Sequence, residues 1–158
     1  MLNRKAIDMS GSRQTEEIIR TLLMTQNLAV LATQHQGQPY SSLMAFVATE
    51  DLKDLYVGTS RSTRKYSYLT SESRVSLLID NRSNRDADLH EAVAVTAIGN
   101  AQEMVESDKE QFLPYYLSKH PHLQDFIKAP SCALIRIAVK AYYLVIRFQQ
   151  VMELHIGS

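Results

Sequence analysis

Seven consecutive residues, Thr59-Ser60-Arg61-Ser62-Thr63-Arg64-Lys65, bring together four side-chain hydroxyls and three cations. The chemistry such a cluster serves is anion capture. Hydroxyls donate hydrogen bonds, Arg offers a planar fork to two oxygens, and Lys adds a compact charge. The apolar run Leu55-Tyr56-Val57-Gly58 precedes it, and a helix is expected over Thr63 to Glu72, so free amides at a helix start would join the side chains. On composition alone, a solvated polar loop capping a helix is the commoner outcome. The segment contains neither G-x-x-x-x-G-K-[ST] nor G-x-G-x-x-G.

The elements that must position this cluster are mostly strands. Ile18, Ile19, Leu22 and Leu23 recur at helical spacing and predict a first helix over Arg13 to Gln26, capped by Ser12 or Thr15, with residues 1–12 loose. Strands follow at Asn27–Thr33, Pro39–Ala48, Leu55–Gly58, Arg74–Asp80 and Ala92–Met104. A turn at His35–Gln38 uses Gly37, and Gly99 marks a bulge or close backbone approach in the long strand. Ser107-Asp108-Lys109-Glu110 has capping-box spacing and opens another helix, which contains Pro114 and breaks at His120-Pro121. Cys132–Val139 and Ala141–Leu154 read as a closing hairpin. Strands joined by short turns, with too few crossover helices for a doubly wound sheet, predict a mainly β (α+β) fold. The pattern leaves an antiparallel sheet or barrel of six to seven strands in a single domain, with two to three flanking helices.

Bulk properties narrow the function. At 158 residues the chain can bury a full core, and 17 Lys+Arg balance 17 Asp+Glu, so no global field invites nucleic acid. Cys132 is the only cysteine, which excludes an intramolecular disulfide; its apolar neighbours mark a core thiol. The start of the chain has no apolar signal region, and no window has the length of a membrane span, so a cytoplasmic protein is expected. His120 and His122 flank Pro121 and His90 lies in an acidic loop, a pattern too sparse for zinc; no metal site is expected.

The order of helix, strand, glycine turn, strand with Pro39-Tyr40-Ser41-Ser42-Leu43-Met44-Ala45-Phe46, strand ending in Gly58-Thr59-Ser60, then Arg64-Lys65 and a helix, then Arg74-Val75-Ser76-Leu77-Leu78-Ile79, resembles the FMN-binding split-barrel family typified by pyridoxamine 5'-phosphate oxidases. The likeness runs from about Thr15 to Val105, and more weakly through the final hairpin. It implies a mainly β, six- to seven-stranded antiparallel split β-barrel with two to three flanking helices, and a flavoprotein oxidoreductase that binds FMN at the interface of a homodimer and acts on a small molecule. Arg64 and Lys65 correspond to the phosphate pair, and Thr59 and Ser60 to contacts with phosphate and ribityl chain. Ser41, Ser42, Leu43 and Met44 correspond to the run along the isoalloxazine edge, with Leu43 expected to pack inward. Arg61 is a further phosphate candidate. Tyr142, Tyr143, Arg147, Phe148 or the loop Asn81–Asn84 would supply cover from the second subunit.

Departures from the oxidases are equally plain. Ala94 and Thr96 stand where the oxidases carry Gln and Arg, the chain has no Trp, and only Arg147 is available for their paired-arginine substrate motif. Authentic pyridoxamine-phosphate oxidase activity is therefore not expected, and no catalytic residue is assigned. The alternative is a non-catalytic split-barrel module holding FMN, haem or a deazaflavin.

Overall fold

The computed structural model describes the backbone of residues 3–148 and 150–157 and the side chains of 11–148 and 150–157. Seven strands, β1 (Leu28–His35), β2 (Gln38–Ala48), β3 (Asp54–Ser60), β4 (Arg74–Asp80), β5 (Val93–Glu103), β6 (Cys132–Ile146) and β7 (Gln150–His155), form one antiparallel sheet. Its order is β3-β2-β1-β4-β5-β6-β7, and an additional β3–β6 pairing closes six strands into a barrel. The split lies along β6. Its first half pairs with β3 and its second half with β7, so one long strand serves both the barrel and an added edge.

Alternation builds the core. On β1 Ala29, Leu31 and Thr33 are buried, and on β4 Val75, Leu77 and Ile79 are, while the intervening residues face outward. Ile19, Leu22 and Leu23 of α1 (Asn3–Thr25) and Leu69 of α2 (Arg64–Ser71) enter the same cluster. Two one-turn helices, α3 (Asp88–Glu91) and α5 (Gln124–Lys128), accompany the longer α4 (Glu106–Lys119), giving five α-helices among the described residues where two to three were expected. Tyr116 of α4 and Ile127 of α5 pack on the outer face of β2, β3 and β6, against Val47, Tyr56 and Leu134. Among the described residues no helix is long and apolar enough to cross a membrane.

The β1–β2 turn takes positive φ at Gln36 (49°) and Gly37 (81°), a two-residue connection whose twist suits a hairpin. At Gly99 the β5–β6 register shifts, and an added Cβ would meet the Ala138 carbonyl oxygen at 2.3 Å. At Gly58 the same atom would stand 2.6 Å from Ile127 Cδ1, so this glycine lets α5 lie against β3.

Several boundaries differ from expectation. The first helix begins at Asn3, which places Ser12 and Thr15 inside it; Thr15 Oγ1 donates to the Gly11 carbonyl instead of capping. Ser107 caps nothing, because α4 starts at Glu106 after Val105. Tertiary docking sets that start: buried Lys109 sends Nζ 2.7 Å to the Cys132 carbonyl. The closing hairpin does not turn near Lys140. β6 continues through it, and the turn uses left-handed Arg147 (φ 51°) and Phe148 (φ 60°).

Candidate functional site

The end of β3, the middle of β2 and the start of α2 border a cleft of about 260 Å³. Leu43, Met44 and Ala45 supply one side, and Gly58, Thr59 and Ser60 the next. Thr63 and Lys65 form the polar end, with Tyr116, Leu123 and Phe126 as an apolar wall. Depressions of about 500 Å³ beside α4 and about 420 Å³ beside α1 are larger but poorer in anion donors. The first has one cation, Arg136, engaged by the Asp54 carboxylate at 2.8 and 3.2 Å; the second has no Lys or Arg in its lining.

The hydroxyl cluster mainly builds the turn. Thr63 occupies the N-cap of α2, where its Oγ1 accepts from the Tyr66 amide at 3.3 Å and donates to the Ser60 carbonyl at 2.8 Å. The hydroxyl of buried Thr59 lies 2.9 Å from Thr63 Oγ1, and the Ser60 and Ser62 hydroxyls pair at 3.0 Å. Substitution of this tight array would disturb the loop before it disturbed a ligand. Among the described residues, the amides of Arg64 and Lys65 meet no acceptor, as expected of the first two helical positions.

The three cations diverge. Arg61 is committed to Glu103, with nitrogen–oxygen distances of 2.9 and 2.6 Å, and to the Pro130 carbonyl at 2.7 Å; its candidacy for phosphate is withdrawn. Burial works to raise the Glu103 carboxyl, but the Tyr66 hydroxyl at 2.6 Å and the Arg61 guanidinium overcome it and hold the group below its usual range. Lys65 borders the cleft and is half-buried. Arg64 is exposed, with its guanidinium carbon 5.3 Å over the Tyr40 ring, outside the cleft lining. Neither Lys65 nor Arg64 has a carboxylate partner among the described ion pairs.

On β2, Met44 is buried in the barrel core, whereas Leu43 is 66 % exposed. Leu43 therefore packs outward, contrary to expectation, because strand alternation gives the inward places to Ser42, Met44 and Phe46. Ser41 is exposed beside it. Ser42 Oγ is buried without a hydrogen-bond partner, the one such side-chain atom among the described residues. Unpaired helix amides and an uncompensated lysine at the cleft fit an anionic ligand, whereas the orphaned Ser42 hydroxyl lies on the barrel side of β2, outside the cleft lining.

Outward from Leu43, an apolar row crosses the sheet: Leu43 faces Val30, Val30 faces Leu78, Leu78 faces Thr96 and Thr96 faces Tyr143. Leu28 and Leu78 are also exposed, and Val30, Thr96 and Tyr143 are half-buried. Tyr142 cannot cover a ligand: it is fully buried, and its hydroxyl donates to the Leu52 carbonyl at 2.8 Å. Tyr143 lies on the sheet face, and Phe148 is exposed at the β6–β7 turn. The loop at Asn81–Asn84 is folded over Asp88, which accepts from the Ser83 and Asn84 amides. Sequence reading missed the wall made by Tyr116, Leu123 and Phe126; the i, i+3 apolar pair Leu123 and Phe126 was its available signal.

The remaining candidate side chains have structural surroundings. Cys132 is buried, and burial raises its thiol pKa. His120 Nε2 lies 2.7 Å from the Phe46 carbonyl. No group of three His, Cys, Asp or Glu suited to a metal occurs among the described residues.

Solved structures share this architecture at low identity, a likeness of fold. A heme binding protein from Mycobacterium smegmatis is 18% identical with TM-score 0.75, covering 86% of this chain and 55% of that one. A FAD-binding protein from Mesorhizobium loti is 16% identical with TM-score 0.64, covering 78% and 88%. A putative pyridoxamine 5'-phosphate oxidase from Listeria innocua is 19% identical with TM-score 0.62, covering 89% and 98%. No curated protein matches the chain. The sequence profile of the pyridoxamine 5'-phosphate oxidase family matches residues 15–146, most of the chain, and with the barrel just described it makes this protein a member of that family.

Proposed function

We propose that the chain binds a flavin nucleotide non-covalently through its phosphate, with FMN as the smallest ligand that satisfies the cleft, and works as an oxidoreductase on a small molecule. The observation that carries this reading is the convergence of Lys65 and the unpaired α2 amides at one strand-end cleft. Thr59 and Ser60 would fix the turn, Lys65 would contact the phosphate with Arg64 adding its charge from outside the cleft, and the backbone of Ser41 to Met44 would follow the ring edge. Bound flavin would supply the electron or hydride transfer; this chain's residues bind it, orient it and exclude water.

A second copy of the chain completes the site in this proposal. The cleft, about 260 Å³, falls below the roughly 300–1,000 Å³ of ordinary ligand pockets, so a ring system would extend past Leu43 onto the exposed sheet face. A homodimer formed on the Leu43–Val30–Leu78–Thr96–Tyr143 row would bury that face and roof the ring. We place the protein in the cytoplasm, where its buried free thiol is at home.

Mass spectrometry of ligand extracted from the purified protein tests the reading, which expects flavin. Arg64→Ala combined with Lys65→Ala should release it. FMN affinity equal to that of the unmutated chain in this double variant would overturn the phosphate assignment.

A specific observation favours a second reading, a cofactor-binding module without turnover. Apart from Lys65 and Tyr116, the cleft lining has no side chain that titrates, and burial pushes the Tyr116 phenol up to about 12, away from neutral proton transfer. A ligand bound tightly but never cycled by nicotinamide donors would select this reading. Haem in the extract would select it too, in line with the name of the Mycobacterium smegmatis protein.

A further inference from the structure

The depression of about 500 Å³ beside α4 has the size of an ordinary small-ligand pocket, within the roughly 300–1,000 Å³ range. It shares no lining residue with the strand-end cleft. One side is a row across three strands, in which Tyr56 of β3 faces Arg136 of β6 and Arg136 faces Gln102 of β5. Asp108, Gln111 and Phe112 of α4 form the other. We propose that this depression is a second ligand site, which takes a small organic cation with a flat apolar body, of the aryl amidine or aryl amine class. The site owes nothing to the flavin proposed above.

Two observations carry it. The first is Tyr56. This residue is 7 % exposed and its ring stacks on Phe112 at 3.8 Å, but its hydroxyl makes no hydrogen bond among the described residues. Nor is that hydroxyl sealed in the interior, a state that falls to Ser42 Oγ alone among the described unpartnered side-chain atoms, so it opens onto the depression that Tyr56 lines. Packing α4 on β3 requires only the ring, which a phenylalanine would supply. The second observation is charge. Arg136 is engaged by Asp54 at 2.8 and 3.2 Å, and Glu103 by Arg61 and by the Tyr66 hydroxyl. Asp108, the remaining charged side chain of the lining, has no cation partner among the described ion pairs. Exposed Gln102 and Gln111 add amide oxygens that accept from N–H groups. One uncompensated negative charge, a phenol oxygen and an aromatic wall together suit a cation carrying a flat apolar body. An acid in the first turn of a helix is ordinary by itself; beside a buried phenol with no partner it has a ligand to serve.

Benzamidine is the probe, with benzamide and benzoate as its neutral and anionic counterparts. In NMR titrations of the unmutated chain, benzamidine should bind saturably with Kd of about 1 mM, roughly fivefold tighter than benzamide, with benzoate weaker still. Amide shifts should concentrate at residues 102–105 and 108–112. Asp108→Asn and Tyr56→Phe should each weaken benzamidine about fivefold. Glu91→Gln removes an exposed acid just before the far end of β5 and should change nothing. Saturating the chain with FMN should leave benzamidine affinity as it was. The site is overturned by no saturable binding up to about 10 mM, by benzoate binding as tightly as benzamidine, or by undiminished affinity in Asp108→Asn or Tyr56→Phe. Competition between benzamidine and FMN would place the probe in the cleft and overturn the site too. A chain that binds benzamidine as described and no flavin keeps this site and loses the flavin reading. The three-probe comparison needs no variant, so a misfolded substitution leaves it decisive.

Discussion

Replacing Lys65 by Ala should weaken FMN far more than replacing Arg64. Lys65 borders the cleft and is half-buried, without a carboxylate partner among the described ion pairs. A charge-assisted hydrogen bond in such surroundings contributes about 1.5–3 kcal/mol, and the affinity scale turns that into a loss of roughly 10- to 150-fold. Arg64 is exposed over Tyr40 and acts on an FMN phosphate mainly at a distance. Across about 8 Å of water its charge is worth about 0.5 kcal/mol, or roughly twofold, and added salt erodes even that. Quenching of FMN fluorescence, titrated at two salt concentrations for the two single variants, separates these cases. An Arg64→Ala loss equal to or larger than that of Lys65→Ala would refute the divergence of the pair on which this reasoning depends.

Other perturbations probe the fold and the second subunit. Gly99→Ala drives a methyl group into the Ala138 carbonyl, a contact between two backbones, and should destabilise by about 1–3 kcal/mol in urea unfolding. Leu43→Asp or Leu78→Asp places a charge in the exposed apolar row and should yield a monomer by light scattering; a retained dimer would move the interface elsewhere. Stability should also change with alkaline pH. Burial pulls half-buried Lys119, whose Nζ is 2.9 Å from the Leu23 carbonyl, down to about 8 from an ordinary 10.5. Between those values the unfolded chain binds the extra proton, so stability rises with pH. Tyr116, pushed up to about 12 from 10, acts oppositely: above pH 10 the folded chain holds the proton that the unfolded one releases, and stability falls. Thermal unfolding should therefore show a maximum near pH 10, and Lys119→Met should remove its rising limb.

Strands were legible because their signals are local. Arg74–Asp80 alternates buried and outward residues along its whole length, Gly37 marks a two-residue turn, and Gly99 marks a register shift. What could not be read was set by contacts distant in sequence. Lys140 looks like a turn between two strands, yet β6 passes through it because its first half has β3 to pair with and its second half β7. Ser107 has the spacing of a cap, but Lys109 anchors the helix start on β6, about twenty residues later in the chain. The site shows the same division. Lys65, Thr59, Ser60, Leu43 and Met44 stand together around the cleft, Ser41 and Ser42 do not border it, and the outward turn of Leu43 and the divergence of Arg64 depend on strand parity and helix phase. Arg61 was unreadable because Glu103, its partner, arrives from another strand.

That division explains why so weak a sequence pattern accompanies so persistent a fold. In this cleft the hydroxyls of Thr59 and Thr63 bond one another, and most remaining polar donors are backbone amides at a helix start and along a strand. A backbone donor survives almost any substitution that keeps the chain's path, so the side chains around it are free to change. The structural relatives share the architecture at 16–19% identity. Side chains that confer individuality would then lie at the margins of the cradle, where the ligand's outer parts end. Ala94 and Thr96 stand where the oxidases place polar grips. Exchanging marginal residues should therefore alter which nucleotide or reductant is accepted while phosphate capture persists, whereas a change in the path of the Thr59–Lys65 turn should abolish both.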